Sequence, residues 1–449
     1  MTLPKRTIPG PKSASLLALS KQYEPPCMAD QVPVVWDHGE GVWVFDVDGN
    51  KYLDLTSGVL VTNIGHSHPE HVEAVRHQAG RLMNCYSFPT PERVELARQL
   101  VNALPPNLDK VFLLTTGAEA TEAAIRIAKR YSGKHEILAF YGAFHGRTYG
   151  PMSVAGSLST RRKFGPPVPG GIMAPYAYCY RCVYEKTYPE CEFYCITALD
   201  RVVESSSSGD LGAVIVEPYE GGAGFINPPL GWMKELERWA HDRGLLLIVD
   251  EVQSSFGRTG KMFAIEWEDV KPHMVCIGKG LGSGMPVSAL AGESRIFDAM
   301  SPGEMSSTTG GNPLASAAAL AVLRIVKERS LPENARRMGE YLQSRLRVLK
   351  EKYEFLGDVR GMGLAKGLEI VTNKKEKTPS VDLTGKIILT AAEHGLMMGK
   401  VGLYGNVIRV APPLVITQEE CDLAVDTLDK VMAEVEALIK GNVSGRVQR

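Results

Sequence analysis

Residues 245–253, LLLIVDEVQ, and residues 274–280, MVCIGKG, decide the fold of this chain. Each stretch begins with an apolar run of strand length and ends in polar or glycine residues. Apolar runs of this kind are typical of parallel strands that are covered on both faces in α/β proteins. In such sheets ligands bind outside the carboxyl ends of the strands. The sequence therefore predicts that Asp250 and Lys279 lie at one edge of the same sheet.

The same pattern continues on both sides of these two stretches. Further apolar runs and helical patterns alternate along the chain, with candidate strands at residues 111–114, 136–140, 212–216 and 287–291 and candidate helices at residues 121–130 and 233–243. From residue 313 onward, long helical patterns and short strands indicate an α+β region. We predict an α/β fold in which residues 66–320 form a large domain. Residues 1–65, an arm and part of a smaller domain, and residues 321–449 complete the chain.

Composition narrows the class of protein. The chain has 449 residues, 22% of them charged, and a formal net charge of -1. A nearly neutral chain indicates neither a basic surface that binds nucleic acid nor a polybasic segment that binds a membrane. No segment approaches the roughly 18 apolar residues of a membrane span, so we expect a cytoplasmic protein. The 45 glycines are about 10% of the 449 residues, whereas roughly 7% is usual. This excess indicates loops whose backbone approaches a ligand closely.

The strongest chemical signal is the pair of Asp250 and Lys279. A lysine that follows a buried strand between glycines is partly desolvated, which lowers its pKa and makes it a better Schiff-base nucleophile. An aspartate at the same edge would pair with a pyridinium nitrogen, as pyridoxal phosphate enzymes require. A structural salt bridge and an ordinary loop lysine are the alternatives. The spacing alone leaves these open.

Two Gly-rich segments are candidates for phosphate binding. Residues 115–120, TTGAEA, lie between a strand and a helix, where backbone N–H groups at the helix N-terminus bind anions. Residues 306–313, SSTTGGNP, form a second polar, Gly-rich segment. An ordinary βα turn and an ordinary surface loop are the respective alternatives.

Two further motifs suggest contacts with a flat ring and with carboxylates. Phe144 and His145 in FHGRT (144–148) would stack on a cofactor ring, and the guanidinium fork of Arg147 would bind a carboxylate. Arg409 lies inside the apolar run VIRVAP, where a cation is costly unless an anion meets it. A surface arginine and a structural ion pair are the alternatives.

Taken in order, these motifs resemble those of the class III pyridoxal-phosphate aminotransferases, which include the ornithine, 4-aminobutyrate and acetylornithine enzymes. The resemblance covers nearly the whole chain. Four segments carry it: TTGAEATEAAIRIAKR (115–130), LIVDEVQSSFGRTGKMFA (247–264), IGKGLGSGMPVSAL (277–290) and VRGMGLAKGLEI (359–370). It implies fold type I, with a mostly parallel seven-stranded sheet in a large cofactor-binding domain, a smaller α+β domain, and a homodimer or a dimer of dimers.

The resemblance also implies a role for each candidate residue around the cofactor, pyridoxal 5'-phosphate. Lys279 would form the Schiff base and later shuttle the proton, while Asp250 would keep the pyridine nitrogen protonated. Gln253 would contact the phenolic oxygen of the ring. Val252 and Phe144 would pack on its opposite faces.

Other roles concern the phosphate and the substrates, an amino donor and a keto-acid acceptor. Gly117 and Ala118 would bind the phosphate through their amides, and Thr308 would reach it from the other subunit. Arg409 matches the position that binds the substrate α-carboxylate, and Arg147 matches a second carboxylate clamp. Val59 would line the substrate pocket.

Two departures from the family bear on the reaction. Ornithine and 4-aminobutyrate members carry a Glu that swings to mask or expose the α-carboxylate arginine, but Gly222 stands at that position, two residues after Glu220. Several segments, such as GDVRGMG (357–363), look closest to the dialkylglycine decarboxylase branch. That branch holds the scissile carboxylate with a Gln, and Val59 replaces it here. The sequence therefore favours transamination over decarboxylation, with a racemase or epimerase as a further alternative.

A third departure is a cysteine-rich insertion, with Cys179, Cys182, Cys191 and Cys195 in a C-x2-C-x8-C-x3-C pattern. Four thiols at such spacing would suit a tetrahedral zinc ion. Reduced cysteines and a disulfide are the alternatives. The spacing does not choose between them.

Overall fold

A computed structural model of the chain describes residues 3–28, 32–157 and 161–444, and of residues 441–444 it describes the backbone alone. The chain divides into two compact units. The large unit comprises Val61–Asn63 and Pro69–Glu333, and the small unit comprises Met1–Leu60, Ile64–His68 and Asn334–Arg449.

A seven-stranded sheet forms the centre of the large unit. Its strands, in spatial order, are Lys110–Leu114, Ser288–Gly292, Met274–Ile277, Leu246–Asp250, Leu211–Val216, Glu136–Phe140 and Gly171–Ala174. Ser288–Gly292 is antiparallel to both of its neighbours, and the remaining pairs are parallel. The prediction of an α/β fold with a mostly parallel seven-stranded sheet is confirmed.

Helices lie before, between and after these strands. They are Pro69–Ala79, Pro91–Ala103, Gly117–Ser132, Tyr149–Ser153, Tyr194–Thr197, Leu199–Ser206, Trp232–His241, Ser294–Phe297 and Pro313–Glu328, with short 3-10 turns at Cys179–Arg181, Ala264–Trp267 and Lys279–Leu281. The described helices and turns include none that is both long enough and apolar enough to cross a bilayer.

The four central strands of the sheet are buried along their whole length, because nearly all of their residues are apolar or small. Val214 and Val216 belong to one hydrophobic core and Ala213 and Ile215 to the other, as expected when successive side chains point to opposite faces. All six residues of Leu211–Val216 are buried. With both faces covered, the strand ends are where the sheet can present polar groups to a ligand.

The small unit contains two four-stranded sheets. The first has the order Trp36–Glu40, Trp43–Asp46, Lys51–Asp54 and Leu396–Met397, and the second Leu356–Met362, Ala365–Ile370, Val407–Val410 and Gly399–Val401. Its helices are Pro11–Tyr23, Val381–Glu393, Gln418–Ser444 and most of Leu331–Lys352. Strands Trp43–Asp46 and Lys51–Asp54 form a hairpin, since they pair antiparallel.

The boundary between the units falls later than the sequence suggested. The predicted division after residue 320 would cut the helix Pro313–Glu328, which is continuous, buries ten of its residues and packs against Pro69–Ala79 and Pro91–Ala103. The structure keeps this whole helix in the large unit, which extends to Glu333. The apolar residues of a helix indicate that it packs against a hydrophobic core, but they do not indicate which unit contains that core.

Candidate active site

Asp250 and Lys279 lie at the same edge of the large sheet. Asp250 is the last residue of Leu246–Asp250, and Lys279 comes two residues after the parallel neighbour Met274–Ile277. Asp250 pairs with Cys276 in the strand register, which places the two strand ends side by side. The structure therefore brings together the two residues that the sequence singled out first.

The backbone at Lys279 is unusual for a residue with a side chain. Its φ is +40°, and it begins the 3-10 turn Lys279–Leu281. Glycines on both sides permit the tight packing, since a Cβ at Gly278 would lie 3.2 Å from Val252 Cγ1 and one at Gly280 would lie 2.5 Å from Asn63 Nδ2. Sparsely populated backbone conformations of this kind cluster at functional sites. The partly buried Lys279 is thus placed by its surroundings, against its local preference.

A buried hydrogen bond joins Asp250 to His145. Asp250 Oδ2 lies 2.7 Å from His145 Nδ1, and Asp250 Oδ1 accepts from the Val252 N–H at 3.0 Å. The two residues are only 5% and 3% exposed. Burial lowers the pKa of His145, but the hydrogen bond and charge of Asp250 and the charge of Glu217 outweigh it, so the net pKa is raised. The two hydrogen bonds hold the Asp250 carboxyl in one orientation at the strand end.

Glu217 connects two loops at this edge. It directly follows Leu211–Val216, and its carboxylate accepts from the Phe144 N–H at 2.7 Å and from the Gly221 N–H at 3.2 Å. Burial raises the pKa of Glu217 to about 7, with His145 opposing the shift and Asp250 adding to it. Glu217 therefore fixes the positions of the aromatic residue at 144 and of the glycine-rich turn that follows it.

The first turn of helix Gly117–Ser132 offers amides for an anion. Thr116 caps this helix, its hydroxyl accepting from the Glu119 N–H at 3.1 Å, while Glu119 Oε2 accepts from the N–H groups of Thr115 and Thr116. Within the described residues, the N–H groups of Gly117 and Ala118 are left without an acceptor. The capping box orders the turn, and the two amides without an acceptor are free to donate to an anion.

Val252, Gln253 and Phe144 surround the space between these groups. A Cβ at Gly117 would lie 2.7 Å from Val252 Cγ1, so the valine packs directly on the helix start. Gln253 Oε1 is buried without a hydrogen-bond partner among the described residues. A Cβ at Gly221 would collide with this oxygen, and one at Gly222 would lie 3.2 Å from Phe144 Cβ.

Arg147 and Thr308 occupy exposed positions of the large unit. The Arg147 guanidinium lies 5.7 Å from the centre of the Phe144 ring, a cation–π distance. Thr308 is exposed, and its neighbour Thr309 lies 3.2 Å, Oγ1 to Oγ1, from Thr115, beside the amides of Gly117 and Ala118. The second Gly-rich segment therefore lies next to the first within one chain.

The small unit holds the other two predicted substrate residues. Arg409 is buried in Val407–Val410, and its Nε has no hydrogen-bond partner among the described residues. Burial lowers the pKa of Arg409 to about 10, although the charge of Asp54 opposes the shift. A buried guanidinium with an unused donor suits an anionic ligand. Val59 is exposed, in the left-handed turn Ser57–Leu60.

The burial of Glu220 was not predicted from the sequence. This side chain is 1% exposed, and neither carboxyl oxygen has a hydrogen-bond partner among the described residues. Burial, and next the charge of Glu217, raise the pKa of Glu220 well above its usual range. The backbone of Glu220 pairs with Ile226, which closes the glycine-rich turn. A hint was available in the pattern, since Glu220 lies between Tyr219 and the small residues 221–224.

The cysteine loop does not form a metal site in this structure. Cys179, Cys182, Cys191 and Cys195 are free thiols. Within residues 3–28, 32–157 and 161–444, no three His, Cys, Asp or Glu side chains are arranged to hold a metal ion. Zinc binding by these thiols stays a prediction of the sequence alone.

The residues of the large unit fit pyridoxal phosphate. The amides of Gly117 and Ala118 and the buried Gln253 Oε1 lack partners that a phosphate and a phenolic oxygen would supply. The Asp250 carboxyl is oriented by His145 Nδ1, which lies 2.7 Å from its Oδ2. An amine, an acid and a phosphate cradle thus lie around one space.

The family follows from comparison with known proteins. The model of the class III aminotransferase family matches residues 26–432. An acetylornithine aminotransferase of Methanopyrus kandleri is 38% identical over 411 residues, which are 91% of this chain and 95% of that protein. The chain therefore belongs to the class III aminotransferase family, and the predicted resemblance is confirmed. Its enzyme class is that of the pyridoxal-phosphate-dependent transaminases.

Two further relatives add detail. An alanine/serine racemase of Pyrococcus horikoshii is 36% identical over an alignment 461 positions long, which covers 100% of this chain and 95% of that protein. A crystal structure of an amine transaminase from an uncultivated Pseudomonas species, in a PLP-bound form, has a TM-score of 0.87 and 29% identity. It covers 92% of this chain and 99% of that chain. The family and this neighbour imply pyridoxal phosphate as the cofactor.

Proposed function

We propose that this chain transfers an amino group from an amino acid or amine to a 2-keto acid by a ping-pong route, with Lys279 as the residue that bonds pyridoxal phosphate. The observation that carries the proposal is the placement of Lys279 and Asp250 on adjacent strand ends, with Asp250 held by buried His145 at 2.7 Å. Both the family and the orphaned amides at Gly117 and Ala118 support it.

Each residue of the large unit has a defined task in this proposal. Bound pyridoxal phosphate supplies an electron sink for the negative charge that develops at the substrate Cα. The Asp250 carboxylate keeps the pyridine nitrogen protonated, and His145 Nδ1 keeps Asp250 in position. Lys279 Nζ removes the proton from the substrate Cα and returns it one atom away. Phe144 and Val252 enclose the ring and exclude water from its two faces.

The remaining residues bind charges and orient the reactants. Gly117 and Ala118 donate their amides to the phosphate, and Gln253 contacts the phenolic oxygen. Thr308 would reach the phosphate of a second copy of the chain, so we propose a homodimer as the functional form. Arg409 binds the substrate α-carboxylate, and Arg147 binds a second carboxylate of the keto acid.

Racemisation is a second candidate, because three relatives that are 35–36% identical are named as racemases or an epimerase. A two-base racemase needs a proton donor on the face of Cα opposite to the lysine. At the turn that faces Phe144, the chain presents Gly222, which has no side chain to serve. Glu220 is buried two residues earlier in the same turn. The missing side chain at position 222 favours transfer over racemisation.

One assay separates the candidate reactions. The holoenzyme is incubated with single L- or D-amino acids, with and without 2-oxoglutarate or pyruvate. Loss of the amino acid that requires the keto acid supports transfer. Interconversion of the L and D forms without a keto acid would show that the reaction is racemisation and not transfer. Release of CO2 would show that it is the decarboxylating alternative.

The role of Lys279 has its own test. Lys279→Ala should lose both turnover and the visible absorbance of the covalently bound cofactor. Lys271→Ala, at an exposed lysine just before the same strand, is the matched control and should keep both. Retention of the absorbance and of full turnover by Lys279→Ala would show that the central assignment is wrong.

A further inference from the structure

The loop between strand Gly171–Ala174 and helix Leu199–Ser206 carries four thiols that the proposed reaction does not use. Cys179 is an exposed residue, and Cys182, Cys191 and Cys195 are partly exposed. The loop is folded back on itself, since the Tyr184 and Tyr194 rings pack edge to face with centres 5.2 Å apart. Thiols that lie close together in pairs can also form disulfides.

One pair lies across a single 3-10 turn. Cys179 begins the turn Cys179–Arg181, Cys182 follows it directly, and the Arg181 N–H donates to Tyr178 O at 3.0 Å. In a 3-10 helix, residues three apart eclipse each other, and a rise of about 2.0 Å per residue separates their Cα atoms by about 6 Å. A disulfide spans Cα separations of roughly 4.4–6.8 Å. The turn thus presents both thiols on one side at a distance that a disulfide bridges.

We propose that Cys179 and Cys182 form a reversible disulfide, and that this disulfide acts on the cofactor pocket of the same unit. The oxidant is a small-molecule disulfide such as oxidised glutathione. One of the two cysteines loses its proton and attacks a sulfur of the small disulfide, which forms a mixed disulfide, and the first leaving sulfur takes up a proton. The other cysteine then loses its proton and displaces the second thiol in the same way, which closes the Cys179–Cys182 bond. Two protein thiols are oxidised and one small disulfide is reduced to two thiols.

A short path leads from this turn to the cofactor pocket. Tyr178 donates its N–H to Tyr176 O at 2.8 Å, and the buried Tyr176 hydroxyl donates to Glu217 O at 2.9 Å. The Glu217 carboxylate in turn holds the Phe144 N–H and the Gly221 N–H. Closing the disulfide restrains the turn that begins three residues after Tyr176, and so it acts on the main chain at Glu217.

A second contact ties the loop to the same tyrosine. The Trp232 indole N–H donates to Cys195 Sγ at 3.3 Å, and the Trp232 ring packs against Tyr176 with centres 4.9 Å apart. Both ends of the cysteine loop therefore meet Tyr176, directly or through Trp232.

Peptide mapping tests the pairing without reference to the reaction. The holoenzyme is equilibrated with oxidised and reduced glutathione, its remaining thiols are blocked, and it is digested with trypsin. Cleavage after Arg181 separates Cys179 from Cys182, and cleavage after Lys186 separates Cys182 from Cys191 and Cys195. We expect the peptide that ends at Arg181 to be joined to residues 182–186. A link to residues 187–201, or no link at all, would overturn the proposal.

Activity measurements test the connection to the pocket. Oxidation should cause a loss of specific activity that dithiothreitol reverses, with no such loss in Cys179→Ser or Cys182→Ser. Cys27→Ser, which removes another exposed cysteine, should respond as the unaltered protein does. If the disulfide forms and neither activity nor cofactor absorbance changes, the proposed path through Tyr176 is wrong.

Discussion

His145 shows how a single buried residue sets the charge of the site. It lies at 2.7 Å from Asp250, its pKa is raised, and its Nε2 has no hydrogen-bond partner among the described residues. The hydrogen bond to Asp250 is therefore made by an imidazole ring that is almost fully buried. Removing this ring leaves the carboxylate at the strand end without the group that orients it.

We expect His145→Asn to weaken catalysis while the protein still binds the cofactor. A hydrogen bond to a charged group contributes about 1.5–3 kcal/mol, which corresponds to a loss of roughly tenfold to a hundredfold in kcat/KM. Steady-state kinetics across pH measure this loss. His135→Asn, at a residue outside the site, is the control and should leave kcat/KM unchanged. An unchanged kcat/KM in His145→Asn would contradict the positioning role.

Glu251 gives a prediction about stability and pH. This fully buried carboxyl accepts from the Ile265 N–H at 2.8 Å, and burial raises its pKa from 4.5 to about 7. Between these values the unfolded chain releases the proton and the folded chain keeps it. The free energy of unfolding therefore falls as the pH rises from 4.5 to 7, by up to about 3 kcal/mol from this group.

Glu251→Gln should remove that share of the pH dependence. Denaturant unfolding at pH 5 and at pH 8 gives the free energy of unfolding of both proteins, and hence its slope against pH. We expect the free energy of unfolding to fall less between pH 5 and pH 8 in the variant than in the unaltered protein. Glu328→Gln, at an exposed position of the large unit, should retain the original slope. Equal slopes in the unaltered protein and in Glu251→Gln would refute the assignment.

The first turn of helix Gly117–Ser132 is capped by its own side chains and also offers amides to an anion. Thr116 and Glu119 satisfy each other's backbone groups, and the same geometry leaves the amides of Gly117 and Ala118 for an anion. A cap substitution therefore affects both helix stability and phosphate binding, whereas a cap elsewhere affects stability alone.

We expect Thr116→Ala to lower the free energy of unfolding by about 1 kcal/mol and also to weaken the affinity for pyridoxal phosphate. Thr90→Ala is the matched control, because Thr90 caps Pro91–Ala103 by accepting from the Arg93 N–H at 3.4 Å. It should destabilise the protein without a change in cofactor affinity. Fluorescence titration of the apoprotein gives the affinity. Parallel losses of affinity in both variants would contradict the phosphate role.

Elements whose signals are local could be predicted from the sequence. The strand ends at Asp250 and Lys279 follow from apolar runs, whereas the helix expected at residues 121–130 begins four residues earlier, at Gly117. The bonds of Glu217 could not be predicted, because Phe144 lies 73 residues away and only the packed sheet brings the two together. The burial of Glu220 was also missed, because a charged residue in a Gly-rich segment usually indicates an exposed turn.

At the scale of the whole molecule, one segment of the large unit is unusually apolar on its surface. Leu82, Met83, Tyr86 and Phe88 are all exposed, and Phe88 is 76% exposed. Clusters of exposed apolar side chains mark interaction sites. In the proposed homodimer this segment is the candidate contact with the second copy.

Phe88→Glu should therefore shift the protein toward monomers, because an interface would have to bury the new charge. Light scattering coupled to size-exclusion chromatography measures the mass. Phe164→Glu, at another exposed phenylalanine, should leave the mass unchanged. A monomeric unaltered protein, or a dimer that Phe88→Glu does not affect, would argue against this contact.

The reversed strand Ser288–Gly292 has a consequence for the mobility of Lys279. Its residues Ala289 and Leu290 pair with Ile277 and Cys276, so the chain returns to the sheet right beside the strand it has just left. No crossover helix intervenes, and Ser288 Oγ donates to Thr116 O at 2.7 Å at the point of re-entry. The lysine thus lies in a short segment tethered at both ends to the sheet. Hydrogen exchange at residues 279–287 should be limited by opening of the sheet itself, and such a segment does not swing as a lid.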